Sequence, residues 1–147
     1  MSQQQAAVRR QMEFPQEEGR EGLHILVVED DAADAHLILR ALSEQGAKVA
    51  HIDLASDGVE ALERLDESVV SPDLAIIDLK MPRMDGFKLL IEMACRGHSN
   101  VPVVVLTSST AKADIVRSLF RGAKEVISKP NTLSDLKRVL ATTLAAV

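Results

Sequence analysis

The sequence predicts an α/β fold, a doubly wound parallel five-stranded sheet built from five strand-helix pairs. Three observations predict it. Short apolar runs recur along the chain and are continuous, which is how strands buried on both faces of a parallel sheet read. A helical spacing of apolar residues follows each run, so the connections have the length of right-handed crossovers. The clearest run, Leu74–Ile77, stops at a carboxylate, Asp78, within the stretch LAIIDLKMPRMDG, where Pro82 and Gly86 punctuate a loop leading to a helix.

At 147 residues the chain has room for one domain with a full core. It is 46% hydrophobic, which excludes wholesale disorder, and 2% aromatic, too little for a surface that stacks on bases. A net charge of -5 likewise argues against nucleic acid as a partner. The one cysteine, Cys95, allows no internal disulfide, suits a reducing compartment and is expected as a buried thiol rather than a nucleophile. No apolar stretch approaches the ~18 residues of a membrane span, and no signal peptide is visible, so a cytoplasmic location without membrane contact is expected.

Residues 1–22 read as a polar tail rich in Gln, Glu and Arg, disordered or loosely helical, with the folded domain occupying 23–147. The first strand is expected at 24–28 and ends in Glu29, Asp30 and Asp31. Ala35, Ile38, Leu39 and Leu42 then recur at helical spacing, and Gly46 closes that helix as a left-handed cap. A weaker strand spans 49–54, and Asp57 with Glu60 makes a capping-box-like start for a helix carrying Val59, Leu62 and Leu65. After the Asp78 strand comes a helix with Leu89, Leu90 and Met93 that runs to Gly97. The run 101–106 is β-branched and ends in Thr107, Ser108, Ser109 and Thr110. Ile115, Val116 and Leu119 mark a helix stopped at Gly122. Val126 and Ile127 form the last strand, ending at Lys129-Pro130. Thr132 and Asp135 start a final helix whose core stripe is Leu133, Leu136, Leu140 and Leu144.

The polar residues align by position. Glu29 and Asp30 end the first strand, Asp78 the third, Thr107 the fourth and Lys129 the fifth. In a doubly wound sheet those ends share one edge, where ligands bind. A lone Asp at such a point is ordinarily a cap or turn residue; its company changes the reading. Three clustered carboxylates cannot all stay ionised without a cation, and their oxygens suit Mg²⁺. A carboxylate beside Mg²⁺, with an ammonium and a hydroxyl placed to bind oxygens, is a phosphoryl-accepting site with Asp78 as the nucleophile.

VVEDD, DLKMPRMDG, VLTSS and SKP resemble the signatures of the receiver domain of bacterial two-component response regulators, over Leu23 to about Leu144. The resemblance implies a (βα)5 flavodoxin-like receiver fold, with Glu29 and Asp30 as the acidic metal pair, Asp78 as phosphoacceptor, Thr107 as switch hydroxyl and Lys129 as phosphate-binding lysine. It also implies the Lys80 backbone carbonyl as a metal ligand, Mg²⁺ as cofactor and a sensor histidine kinase as partner. The stretches AADAHLI and SKPNTLSDL are similar to stand-alone receivers paired with phytochrome-type histidine kinases. Two positions depart from the family pattern: Val126 stands where an aromatic is usual, and Lys80 where a polar residue is common.

The expected function is therefore a single-domain, non-enzymatic response regulator that signals through protein-protein contacts, a homodimer among them, since no output domain follows Lys129. The alternatives are a phosphate sink and an unphosphorylated receiver-fold scaffold. A haloacid-dehalogenase-like phosphatase would want a second carboxylate two residues after Asp78, where this chain has Lys80. His24, His36, His51 and His98 show no ligand spacing in the sequence and are expected in surface or core roles. No glycine-rich phosphate loop supports nucleotide binding.

Overall fold

The computed structural model describes residues 22–147; the expected polar tail, Gly22 apart, lies outside the described residues. Strands and helices alternate as β1 (Leu23–Val28), α1 (Ala32–Ser43), β2 (Val49–Ala55), α2 (Gly58–Glu67), β3 (Leu74–Ile77), α3 (Gly86–Cys95), β4 (Val103–Thr107), α4 (Lys112–Phe120), β5 (Glu125–Ser128) and α5 (Leu133–Ala145), with a 3-10 turn at Gly46–Lys48. One five-stranded sheet runs in the order β2-β1-β3-β4-β5, and every neighbouring pair is parallel. This is the flavodoxin-like order, whose direction reverses between β1 and β3.

Alternation along each strand divides the core in two. Ile25, Val27, Leu74, Ile76, Val104 and Leu106 pack with Ile38 and Leu42 of α1 and with Leu136, Leu140 and Leu144 of α5. Leu26, Val28, Ala75, Ile77, Val103 and Val105 take the other face, against Leu62 and Leu65 of α2 and Leu89, Leu90 and Met93 of α3. Burying both faces is what makes these strands read as unbroken apolar runs.

Local chemistry sets the helix starts. Asp31, Asp57, Asp85 and Thr132 each accept from the backbone N–H three residues on, at 2.9, 2.9, 2.9 and 3.1 Å; such a cap stabilises by about 1 kcal/mol. The reciprocal half of the α2 box is displaced by one residue, because the Glu60 carboxylate accepts from Ser56 N–H at 2.7 Å. Gly46 has the expected left-handed backbone at φ 71°, but α1 has already ended at Ser43 and Gly46 opens the 3-10 turn. Ahead of β4, Val101 is buried outside the strand, and Pro102, which has no N–H, contributes its carbonyl to Ala75 N–H at 2.9 Å.

One expectation about burial is corrected. Cys95 is exposed, because it falls at the end of α3, off the stripe of Leu89, Leu90 and Met93. In α4 the apolar spacing does not face a core: Val116, Leu119 and Phe120 are exposed, and Ser118 is the buried residue. Its hydroxyl donates to the Asp114 carbonyl at 2.8 Å, so a small polar side chain lets α4 lie close against the edge of the sheet.

Candidate functional site

The sheet ladder continues past the strand ends and brings the acidic residues together. Glu29 N–H donates to Ala55 carbonyl and Asp78 N–H to Val28 carbonyl, both at 3.0 Å, which sets Glu29 and Asp78 side by side. Glu29 and Asp78 are buried and Asp30 is exposed, and one carboxylate oxygen from each lies within 4.8 Å of the others. Leu79 N–H donates to Asp78 Oδ1 at 2.8 Å. Lys129 N–H donates to the Thr107 carbonyl at 2.8 Å, which carries the fifth strand end to the same edge. Thr107 is itself buried, and its Oγ1 accepts from Ser109 N–H at 3.1 Å.

Lys129 joins these groups electrically. Its Nζ lies 2.8 Å from Glu29 Oε1, 2.8 Å from Asp34 Oδ2 and 3.6 Å from Asp78 Oδ2. Burial alone would pull the ammonium down, but its pairing with Asp34 and Glu29 and the charge of Asp78 hold it above the ordinary lysine value. Burial pushes Glu29 up to about 7, opposed by Lys129 and reinforced by the charge of Asp78. Burial also raises Asp78, against the pull of Lys129 and the Leu79 N–H. Glu29 Oε1 is buried and pairs with Lys129 Nζ, an ammonium that Asp34 and Asp78 also draw on. A cluster of three carboxylates with one shared ammonium keeps an excess of negative charge, and its oxygen donors fit a hard divalent cation. Lys80 follows on the loop and is exposed, so the position a phosphatase would give to a general acid carries a solvent-facing ammonium.

The β3–α3 loop is clamped from below. Gly86 N–H donates to the Leu79 carbonyl at 2.8 Å, and a Cβ on Gly86 would stand 2.5 Å from the Asp78 carbonyl oxygen. Arg83, at φ 63°, adopts a left-handed conformation unusual for a non-glycine residue. It is held there by two hydrogen bonds to Asp57, at 2.7 and 3.1 Å. Gly58 N–H reaches the Met84 carbonyl at 3.2 Å, tying the same loop to the start of α2.

The structure thus brings together Glu29, Asp30, Asp78, Thr107 and Lys129 as their strand-end positions predict. Sequence reasoning missed Asp34, which holds Lys129 from α1. Its only signal is a place one turn into a helix that starts beside the acidic pair. It missed His24, His51 and Asp53 too: these side chains, expected in unrelated roles, meet across β1 and β2 because the strand register sets His24 opposite His51.

A parallel α/β domain with acids, a hydroxyl and an ammonium gathered at one sheet edge has the arrangement of a receiver. The chain belongs to that family: residues 25–141 match the response regulator receiver domain. It is 41% identical over 118 residues to the Regulator of RpoS of Escherichia coli (strain K12), covering 80% of this chain and 33% of that protein. It is 36% identical over 114 residues to the response regulator MprA of Mycobacterium sp. (strain KMS), covering 78% of this chain and 47% of that one. The chain therefore spans between a third and a half of the length of these curated relatives. Its structure is similar to that of the phosphorylated cyanobacterial phytochrome response regulator RcpA, at a TM-score of 0.75 and 30% identity over 83% of this chain and 91% of that one. It is also similar to the Mn²⁺-bound form of response regulator Rcp1, at 0.70 and 28% over 82% and 90%. Among the described residues no helix is long and apolar enough to cross a membrane.

Proposed function

We propose that this protein is a cytoplasmic response regulator, its receiver domain spanning 23–147, that accepts a phosphoryl group from a sensor histidine kinase on Asp78 and signals by binding other proteins. The observation that carries the reading is Lys129 Nζ standing between Glu29, Asp34 and Asp78 at the edge where Thr107 also ends its strand. An Asp78 oxygen attacks phosphorus as the bond to the donor imidazole breaks, and Lys129 and the Thr107 hydroxyl bind the phosphoryl oxygens. Mg²⁺, held by Glu29, Asp30, Asp78 and the Lys80 carbonyl, would supply positive charge against those oxygens. The similarity to a phosphorylated relative and to a Mn²⁺-bound one supports both parts of this reading. Acetyl phosphate with Mg²⁺ is expected to add a single phosphoryl mass, and the addition is expected to vanish with chelator and in Asp78→Asn. Persistent labelling of that variant would move the acceptor elsewhere.

The output reading rests on α4. Val116 and Phe120 are exposed and line an open apolar depression rimmed by Lys112, Arg117 and Arg121. A docking face for a second copy or for a kinase fits this better than a pure phosphate sink, and a phosphate-sink protein would show no change in sedimentation or kinase affinity with beryllofluoride. Val126 is half-buried against the core on the α2 and α3 side. Being β-branched and short, it cannot rotate to fill space as an aromatic would. The response is therefore expected in Thr107 and residues 108–112. Phosphorylation should shift those amide resonances strongly and those of 125–127 weakly; equal shifts would assign the switch to another residue.

A further inference from the structure

His24 and His51 are far apart in the chain, and the sheet brings them together. They are register partners on β1 and β2, and Asp53, two residues beyond His51, shares their face because strand side chains alternate. Asp53 bridges the rings: Oδ2 lies 2.9 Å from His24 Nε2 and Oδ1 3.1 Å from His51 Nε2. The rings meet edge to face with centroids 4.9 Å apart. One donor atom from each of the three residues lies within 4.8 Å of the others.

We propose that His24, His51 and Asp53 form a second metal site, for a borderline divalent ion such as Zn²⁺, independent of the phosphoacceptor chemistry. Two imidazole nitrogens and a carboxylate oxygen suit Zn²⁺, Ni²⁺ or Cu²⁺, whereas Mg²⁺ takes oxygen donors. Ligands at bond lengths of about 2.0–2.1 Å sit about 3.3 Å from one another around a tetrahedron. Each Nε2 is already close to that distance from one Asp53 oxygen, though from a different one in each case, so the carboxylate turns one oxygen to the ion as the two rings draw nearer. His51 can do so: its side chain is 61% exposed, while His24 is 15% exposed and held in place. An ionised carboxylate only accepts, so Asp53 takes a proton-bearing Nε2 from each ring. On binding, each neutral ring gives up its Nε2 proton to water and takes one at Nδ1, and the freed Nε2 coordinates the ion. Water completes the coordination from the solvent side.

The surroundings oppose an ion at one point and favour it at others, among them the Asp73 carboxylate, which accepts from the His24 backbone N–H at 2.9 Å. Arg64 Nη1 lies 3.9 Å from Asp53 Oδ1 and competes with an ion for that carboxylate. His24, Asp53 and Ser68 line one cavity, so the C-terminal end of α2, with its partial negative charge, faces the site. Val28 is four positions beyond His24 along β1, about 13 Å at ~3.3 Å per residue, which removes this cluster from the acidic edge.

Titrating Zn²⁺ by calorimetry into the full chain in excess Mg²⁺, which fills the acidic edge, tests the site, with Co²⁺ absorption reporting nitrogen ligation. One ion per chain is expected, with the same affinity in Asp78→Asn, weakened by tenfold or more in His51→Ala, and strengthened in Arg64→Leu. His51 is an exposed strand residue, so its replacement leaves the fold intact. No Zn²⁺ binding by the parent chain, unchanged affinity in His51→Ala, or loss of binding in Asp78→Asn would overturn the proposal.

Discussion

Lys129→Met is expected to slow phosphorylation of Asp78 by acetyl phosphate about 10²–10³-fold, the cost typical of removing one preorganised charge stabiliser from a transition state, while tightening Mg²⁺ binding. The two effects have opposite signs because Lys129 acts on both the phosphoryl oxygens and the carboxylate cluster. Its Nζ lies 2.8 Å from Glu29 Oε1, a buried oxygen of the acidic cluster. Without the ammonium, Glu29, Asp34 and Asp78 lose their shared counter-charge, and a divalent cation becomes the available replacement. Breaking a buried pair by removing one partner typically costs about 3–5 kcal/mol. The cost here is expected below that range, because Asp34 is 41% exposed and Glu29, already pushed up to about 7, takes a proton readily. Mg²⁺ should therefore raise the melting temperature of the variant more than that of the parent. Timed mass spectrometry and calorimetry read the two effects separately. Unchanged rate and unchanged Mg²⁺ affinity together would remove Lys129 from the site.

The fold was legible because burial on both faces leaves a mark in one dimension. Leu74 and Ile76 pack on one side of the sheet and Ala75 and Ile77 on the other, so the run must be apolar throughout. The site was legible for a related reason: in a parallel sheet every strand delivers its last residue to the same edge, so adjacency in space follows from position in each element. What escaped depends on relations that no single segment records. His24 meets His51 only through the register of β1 with β2. Asp34 reaches Lys129 only because the long Lys129 side chain extends from the end of β5 back across the strand ends to the first turn of α1. The α4 stripe reads as core by spacing alone, yet Val116 and Leu119 face outward because nothing among the described residues covers them. Arg83 at φ 63° breaks the local rule for its residue type, and its cause, Asp57, is on another helix start.

Gly86→Ala is expected to destabilise the protein by about 1–3 kcal/mol, the range for overpacking a close-fitted position, and to disturb the acceptor end of β3 with it. A Cβ at Gly86 would lie 2.5 Å from the Asp78 carbonyl oxygen, 2.9 Å from Leu79 Cα and 3.2 Å from the Asp78 carbonyl carbon. All three are backbone atoms, so no side chain can swing aside; either the loop lifts or the strand end moves. Alanine gains helix propensity of up to about 1 kcal/mol over glycine in a helix interior. Gly86 opens α3, where that gain is smaller, so the steric term wins. The displaced atoms carry the Asp78 carboxylate and the Leu79 N–H that donates to it at 2.8 Å, and both Mg²⁺ affinity and phosphorylation rate should fall with stability. Gly97→Ala separates this from glycine loss in general. Gly97 has φ 83°, and a Cβ there would meet nothing within 4 Å, so only backbone strain of about 1–2 kcal/mol opposes the change. Thermal melts of the two variants should show comparable losses, while timed phosphorylation should fall in Gly86→Ala and stay at the parent rate in Gly97→Ala. If the Gly86 variant phosphorylates as fast as the parent, the close approach beneath Asp78 does not position the acceptor.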